Sequence, residues 1–295
     1  MRCVYEEVKS RYTCIFETEN FGILQKNDGN NGCTESVKYL RRKLTHIHKR
    51  VSSPESTVPT VVVGVLSYNS EKYILECLRS IGKQRGKFKL KIVVCDDCSK
   101  DKTTEVIAEF MKHEVRGGVE MEVVLNEGNL GVFGNFWKLL NLCRGYDFVG
   151  FCEADDRWVS GNHIQSHIDQ LQNNPECSVS ANKITYVNHL GEIAGQYEPE
   201  IAGDIFQMED LLKDNFIGNL AACFHRGDNV GNLDAKLQSF EMGDWFFNII
   251  CSQSGDIVYN HDLTTHYRRH PESFWATIPN IEKNREIVRL ISGYN

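Results

Sequence analysis

No apolar run in this 295-residue sequence approaches the roughly 18 to 20 residues that would span a bilayer. The amino terminus, MRCVYEEVKS, also lacks the apolar core of a signal peptide, so a cytoplasmic protein is expected. Positive charge is not in excess. With a net charge of -7 and a pI near 5.8, the chain lacks the basic surface that a general nucleic-acid binder needs. No GxGxxG follows the first strand and no GxxxxGK[ST] occurs anywhere, which excludes both glycine-rich phosphate cradles. A disulfide frame is missing too. The eleven cysteines are odd in number and scattered through apolar segments such as KIVVCDDC and LLNLCRG, the pattern of reduced, buried thiols. Cys95 and Cys98 form a CxxC, but no second pair lies at zinc-site spacing and two aspartates fill the gap.

What is present is an ordinary globular composition, 41% hydrophobic and 25% charged, enough for one large α/β domain or two smaller ones. The first 57 residues stand apart. NDGNNGCTES reads as loop, SVKYLRRKLTHIHKR puts Val37, Leu40, Leu44 and Ile47 on one helical face among six Lys or Arg, and VSSPESTVP reads as linker. That basic helix is expected to dock its apolar stripe on the main domain; the sharper alternative is peripheral contact with an anionic membrane or a partner.

From residue 58 the pattern alternates. TVVVGVLSYN is a continuous apolar run closed by polar residues, as for a strand buried on both faces of a parallel sheet. SEKYILECLRSIGKQ follows as a helix, with Ser70 as N-cap and Ile74, Cys77, Leu78 and Ile81 at helical spacing. FKLKIVVCDD, VEMEVVLNE and YDFVGFCEADD read as further strands, separated by the helices SKDKTTEVIAEFMKH and GVFGNFWKLLNLCRG. This βαβαβαβ series predicts an open, mostly parallel sheet with helices on both faces, whose ligands bind outside the carboxyl ends of the strands. Polar clusters stand at every such end: Tyr68, Asn69 and Glu71; Asp96 and Asp97; Asn126 and Asn129; Glu153, Asp155 and Asp156. Any one alone is a solvated strand end. Three carboxylates so close repel one another unless a cation sits among them, and hard oxygen ligands suit Mg²⁺ or Mn²⁺.

Downstream, GNHIQSHIDQLQNNPE is a helix by periodicity, CSVSANKITYVNHLGEI a hairpin, and MEDLLKDNFIGNLAACFHRGD a helix leading into a strand. EMGDWFFNIICSQSG opens an apolar helix with Asp244 beside three aromatics, which could desolvate it and raise its pKa toward that of a general base. The plainer reading of Asp244 is an N-cap. TTHYRRHPESFWA, after the strand-like GDIVYNHDL, reads as a basic loop suited to phosphate oxygens.

Six ordered stretches, VVVGVLSYNSEKYILECLRSI, KIVVCDDCSKDKT, NEGNLGVFGNFWKLL, FCEADDRW, EMGDWFF and HYRRHPESF, resemble the family 2 glycosyltransferases of GT-A fold, from about residue 60 to about residue 275. The resemblance implies an inverting, metal-dependent transfer of a sugar from a nucleotide-diphospho-sugar to a hydroxyl of a saccharide or lipid-linked saccharide, as in building bacterial polysaccharides; the inner face of the membrane is the alternative to a purely cytoplasmic location. It assigns Asp96 and Asp97 to the nucleobase, Tyr68 and Glu71 to the same pocket, and Asn126, Asn135 and Glu153 to the donor side. Arg268 and Arg269 would close over the diphosphate. Asp155, Asp156 and His270 would hold Mn²⁺ or Mg²⁺, and Asp244 would be the base. The family usually has proline where Ser67 stands and often aspartate where Glu153 stands. The expected organisation is an extension over 1–57, a nucleotide-sugar half over 58–160, an acceptor and catalytic half over 161–275, and a C-terminal helix over 276–295. A sugar nucleotidyltransferase and an inactive nucleotide-sugar-binding scaffold are the alternatives.

Overall fold

The computed structural model describes residues 12–17, 21–26, 58–197, 203–233, 243–271 and 273. The expected basic helix over 37–47 and the C-terminal helix lie outside them. The chain divides into two units, residues 57–273 and a second made of 1–56 with 274–295. Within the second unit, β1 (Tyr12–Glu17) and β2 (Phe21–Lys26) form an antiparallel hairpin that sequence periodicity did not suggest.

The main unit is built on one sheet. Its first half runs β3 (Thr60–Ser67), α1 (Ile74–Gly82), β4 (Lys89–Asp96), α2 (Thr103–His113), β5 (Val119–Leu125), α3 (Gly131–Leu142) and β6 (Phe148–Glu153). Strands β6, β3, β4 and β5 are adjacent in that order and all parallel. The second half adds β7 (Arg157–Trp158), α4 (His163–Asn173), β8 (Cys177–Val187), β9 (Ile193–Tyr197), β10 (Ile205–Phe206), α5 (Met208–Lys213), a 3₁₀ turn (Leu220–Ala222), β11 (Cys223–Arg226), α6 (Gly227–Gly231), α7 (Asp244–Ser252) and β12 (Asp256–Arg268). β11 joins β6 to β8 by antiparallel pairing on both sides, and β12 lies parallel to β8. The sheet is therefore mixed and mostly parallel, and it continues across both halves.

The apolar runs explain this placement. In β3, Val61, Val62, Val63 and Val65 are fully buried, and α1 lays down Ile74, Cys77, Leu78 and Ile81. Each such side chain contributes about 1.5–3 kcal/mol by leaving water, which fixes α1 on the sheet and holds the ends of β3 and β6 side by side. Two local expectations are corrected. Ser70 is not an N-cap: the N–H groups of Tyr73 and Ile74 donate to its carbonyl in a separate turn, its hydroxyl donates to Tyr68 O, and α1 begins at Ile74. The segment TTHYR is strand rather than loop, because β12 pairs with β8 as far as Arg268, and Arg269 follows just past its end.

The eight cysteines from Cys77 to Cys251 are free, and every one except Cys98 is buried. Burial pushes the Cys95 thiol up to about 11, the behaviour of an inert core residue. Among the described residues no helix is long and apolar enough to cross a membrane.

Candidate active site

The carboxyl ends of β3 and β4 are stitched together by their own polar side chains. Asp96 Oδ1 accepts from the Ser99 N–H at 2.9 Å, while Oδ2 accepts from the hydroxyls of Ser99 at 2.6 Å and Ser67 at 3.1 Å. Asp97 Oδ1 accepts from Asn126 Nδ2 and from the Leu130 N–H, both at 2.8 Å. Asn126 Nδ2 also donates to Asn135 Oδ1, its Oδ1 accepts from Lys138 Nζ, and Asn135 Nδ2 donates to Cys95 O. This network corrects three assignments. Asp96, Asn126 and Asn135 are buried with their polar atoms engaged inside the protein, so they brace the carboxyl ends of β4 and β5 rather than present free groups. Glu71 is exposed, and one of its carboxylate oxygens anchors the Lys102 N–H. Asp97, itself 3% exposed, is held through Oδ1, and Tyr68 is 48% exposed.

β6 ends at Glu153, and the ladder continues one residue further through the Ala154 N–H to Leu66 O. A turn closed by the Asp156 N–H on Glu153 O then sends the acids different ways. Asp156 is 1% exposed; its Oδ1 accepts from the Arg268 N–H at 2.8 Å and its Oδ2 from Asn219 Nδ2 at 2.7 Å. It was expected as a metal ligand, but a buried carboxylate must be paired, and both its oxygens tie the end of β12 and the 3₁₀ region to β6. Asp155 Oδ2 lies 3.0 Å from His270 Nε2, whose ring packs 5.0 Å from that of Tyr73. Glu153 Oε2 is buried with no hydrogen-bond partner. Burial, with Asp155 and Asp244 nearby, pushes the Glu153 carboxyl up to about 8.

Asp244 is the first residue of α7, with Gly243 as N-cap, and its Oδ1 accepts from the Trp245 N–H at 2.6 Å. Trp245 Nε1 donates to Leu211 O, and Phe246 and Phe247 are buried, so the aromatic run packs inward and the acid is desolvated. Burial raises its pKa to about 6.

The two arginines part company. Arg268 is 2% exposed; it donates to the carbonyls of Asp155, Asn188 and His189 and to Glu76 Oε2 at 2.5 Å, and it lies over the Tyr73 ring. Its expected contact with diphosphate is corrected, because the guanidinium is consumed as a brace beneath the acids. Glu76 also pairs with Arg157, which reaches His266 Nδ1. Arg269 is exposed and stacks on Tyr186, 3.5 Å from the ring centroid.

Tyr267 was not anticipated. It sits mostly buried, with its ring 5.9 Å from that of Tyr186, and burial together with Asp156, Glu153, Asp155 and Asp244 pushes its phenol far up, so it remains a neutral donor beside the acids. Its signal was the alternation along β12, which places it on the face opposite Arg268.

The donor set fits a hard divalent cation. Among the described residues no three His, Cys, Asp or Glu side chains already converge at ligand spacing. However, Mg²⁺-type ions take only one or two protein carboxylates, and the rest of their shell is water and substrate phosphate. The Asp155–His270 pair and the unpartnered Glu153 Oε2 suit such a partly protein-made shell.

Similarity to known proteins agrees with this geometry. Over 210 residues the chain is 26% identical to an uncharacterized protein of Mycobacterium tuberculosis, covering 71% of this chain and 59% of that protein's length. It is 36% identical over 93 residues, 31% of this chain, to the Staphylococcus aureus poly(ribitol-phosphate) β-N-acetylglucosaminyltransferase TarS, of which that match spans 15%. The crystal structure of TarS residues 1–349 with UDP-GlcNAc superposes with a TM-score of 0.60 at 23% identity, covering 79% of this chain and 65% of that one. A mannosyltransferase of Pyrobaculum calidifontis, solved with GDP-Man and Mn²⁺, gives 0.57 at 14% identity, with 88% and 71% covered. The model of the glycosyl transferase family 2 matches residues 62–232, more than half of the sequence, and the chain belongs to that family.

Proposed function

We propose that this protein is an inverting, metal-dependent glycosyltransferase that moves a sugar from a nucleotide-diphosphate donor to a hydroxyl of a saccharide or lipid-linked saccharide, in the synthesis of bacterial cell-surface polysaccharide. The observation that carries the reading is the division of labour among the acids. Asp155 stands beside His270 just past the end of β6, Glu153 is the last residue of that strand, and Asp244 comes from a different element with its pKa raised to about 6.

Asp155, His270 and Glu153 would hold Mn²⁺ or Mg²⁺, which when bound supplies positive charge against the diphosphate. Tyr68 offers an exposed ring for the base, Asp97 an acceptor at its edge, and Arg269 an exposed cation near the phosphates. In the transfer, the acceptor oxygen bonds to the anomeric carbon as the bond to the diphosphate breaks, and the acceptor's proton goes to Asp244. A carboxyl of pKa about 6 is mostly ionised at neutral pH and still basic enough to help. Tyr267 keeps a neutral O–H beside these groups.

The test is a thermal-shift titration of UDP, GDP and their sugars, each with and without Mn²⁺, followed by turnover assays. Stabilisation should require metal and one nucleotide class, and Asp155→Ala should abolish it. Asp244→Asn should keep donor binding and lower kcat by about 10² to 10⁴. An Asp244→Asn protein with full turnover, or a wild type that binds donor and transfers nothing to any saccharide, would overturn the assignment.

A further inference from the structure

From Arg79 to Lys91 the sequence carries Arg79, Lys83, Arg85, Lys87, Lys89 and Lys91, with no acid between Glu76 and Asp96, in a chain whose acids outnumber its bases by 40 to 33. Two of the six are neutralised: Arg79 pairs with Glu114 and Lys91 with Glu122. The other four have no ion pair among the described residues. One of them, Arg85, lines a cavity of about 280 Å³ together with Gln84, Phe88, Arg116, Gly117 and Gly118, and Lys87 and Lys89 bracket Phe88 in sequence. No acid lines it. The cavity opens where β4 and β5 begin, since Leu90 and Val119, paired at the start of those strands, complete its floor. The candidate active site lies at the other end of the same strands, roughly 20 Å away at 3.3 Å per residue.

The two arginines are presented differently. Arg116 Nε donates to Gly82 O at 2.8 Å and Nη2 to Gln84 O at 2.7 Å, which caps the carboxyl end of α1 and holds the guanidinium in place. A guanidinium has five N–H donors, so three remain for a ligand. Arg85 is anchored through its backbone N–H on Gly161 O, and its exposed side chain makes no hydrogen bond among the described residues. Gln84 is buried and fully engaged, with Nε2 on Ser80 O and Ser160 O and Oε1 accepting from the Ile164 N–H, so the wall is rigid. Nothing lies within 4 Å of a side chain built at Gly117 or Gly118, which leaves that side of the cavity open. A capping role accounts for Arg116 alone. It does not account for Arg85, a second guanidinium on the same acid-free cavity; the two repel each other until an anion enters.

We propose that this cavity is a second anion site, separate from the active site, that takes a phosphate group between Arg85 and Arg116. Guanidinium forks match phosphate oxygens in pairs, and Lys83, Lys87 and Lys89 add attraction of longer range. A soluble phosphate ester and a lipid headgroup both carry such a group, and the two arms of the test separate them.

The test uses the full chain without divalent metal, so that the active site does not compete. Calorimetry with inorganic phosphate and pyrophosphate at fixed ionic strength forms one arm. Co-sedimentation with vesicles of phosphatidylcholine, alone or with phosphatidic acid, forms the other. Saturable binding of the soluble anions, weakened about tenfold or more by Arg85→Gln and unchanged by Asp155→Ala, supports a soluble ligand. Sedimentation only with phosphatidic acid, lost in Arg85→Gln, supports a headgroup. Arg116→Lys, which keeps the charge but loses the fork, should also weaken binding, and its thermal stability reports separately on the cap. Absence of binding in both arms, or binding that Arg85→Gln leaves intact, overturns the proposal.

Discussion

The guanidinium of Arg268 donates to three backbone carbonyls and to Glu76, and its own backbone N–H donates to Asp156, so the residue closes the end of β12 onto β6 from two directions. Removing it leaves three backbone carbonyls without those donors in a place water does not reach, while Glu76, 42% exposed, keeps its pair with Arg157. Losses of this kind run to about 3 kcal/mol. Arg269, one residue on, gives its face to Tyr186 and its N–H groups to solvent. Arg268→Ala is therefore expected to lower unfolding stability by about 3 kcal/mol in a urea titration. Arg269→Ala should stay within about 0.5 kcal/mol of wild type and show its effect in donor KM or kcat instead. Equal stability losses for the two would show that burial does not separate them. The same logic distinguishes Asp155 from Asp156. In each pair one residue faces the site and its neighbour is the bolt that holds it there.

At the level of elements, β6 is where the sheet changes direction, parallel to β3 on one side and antiparallel to β11 on the other. Gly150 makes that close pairing with β11 workable: a Cβ there would come within 2.4 Å of the Phe224 ring, and Phe224 is itself packed on Trp158 and His167. Gly150→Ala must displace a buried aromatic or the strand, at about 1–3 kcal/mol. Because β6 carries Glu153 and Asp155 at its end, the same shift should weaken the Mn²⁺-dependent stabilisation by donor; a variant that loses stability yet keeps that increment would uncouple the strand from the site. The β3–β6 half was legible because each buried strand is one apolar run ended by polar residues, and the intervening helices show 3.6-residue spacing. β12 was only half legible. Its last residues, TTHYR, are polar, and what makes them strand is pairing with β8, 81 residues earlier in sequence, which local pattern does not encode. The site had the same limit: acids at strand ends were readable as a cluster, but the turn that aims Asp155 and Asp156 apart, and the network that consumes Asp96, Asn126 and Asn135, exist only once the loops meet.

At the scale of the whole molecule, three histidines among the described residues, His163, His167 and His225, are fully buried. His163 stacks on Trp158 at 4.6 Å and His167 on Phe224 at 4.7 Å, with 3.3 Å between their Nε2 atoms. His167 Nδ1 meets Ser180 Oγ and its Nε2 meets Asn182 Oδ1, while His225 Nε2 meets Asn248 Oδ1. Burial holds His163 well below 6.5, His167 at about 3 and His225 at about 4. A base whose folded pKa is depressed binds fewer protons folded than unfolded between the two values. Its stabilising contribution is therefore whole above about pH 6.5 and is lost as pH falls below it, at up to about 1.4 kcal/mol per pH unit for each histidine. Glu153 and Asp244 work the other way: their folded pKa values, about 8 and about 6, are raised, so their contribution declines as pH rises from the unfolded carboxylate range. Total stability against pH mixes the two, and a variant is needed to separate them. His163→Phe keeps a ring against Trp158 and removes a titrating group whose Nδ1 has no partner. Between about pH 7.5 and about pH 5.5, its loss of unfolding free energy should be smaller than that of wild type by about 1 kcal/mol or more. Equal losses would mean that His163 is protonated as readily in the fold as outside it.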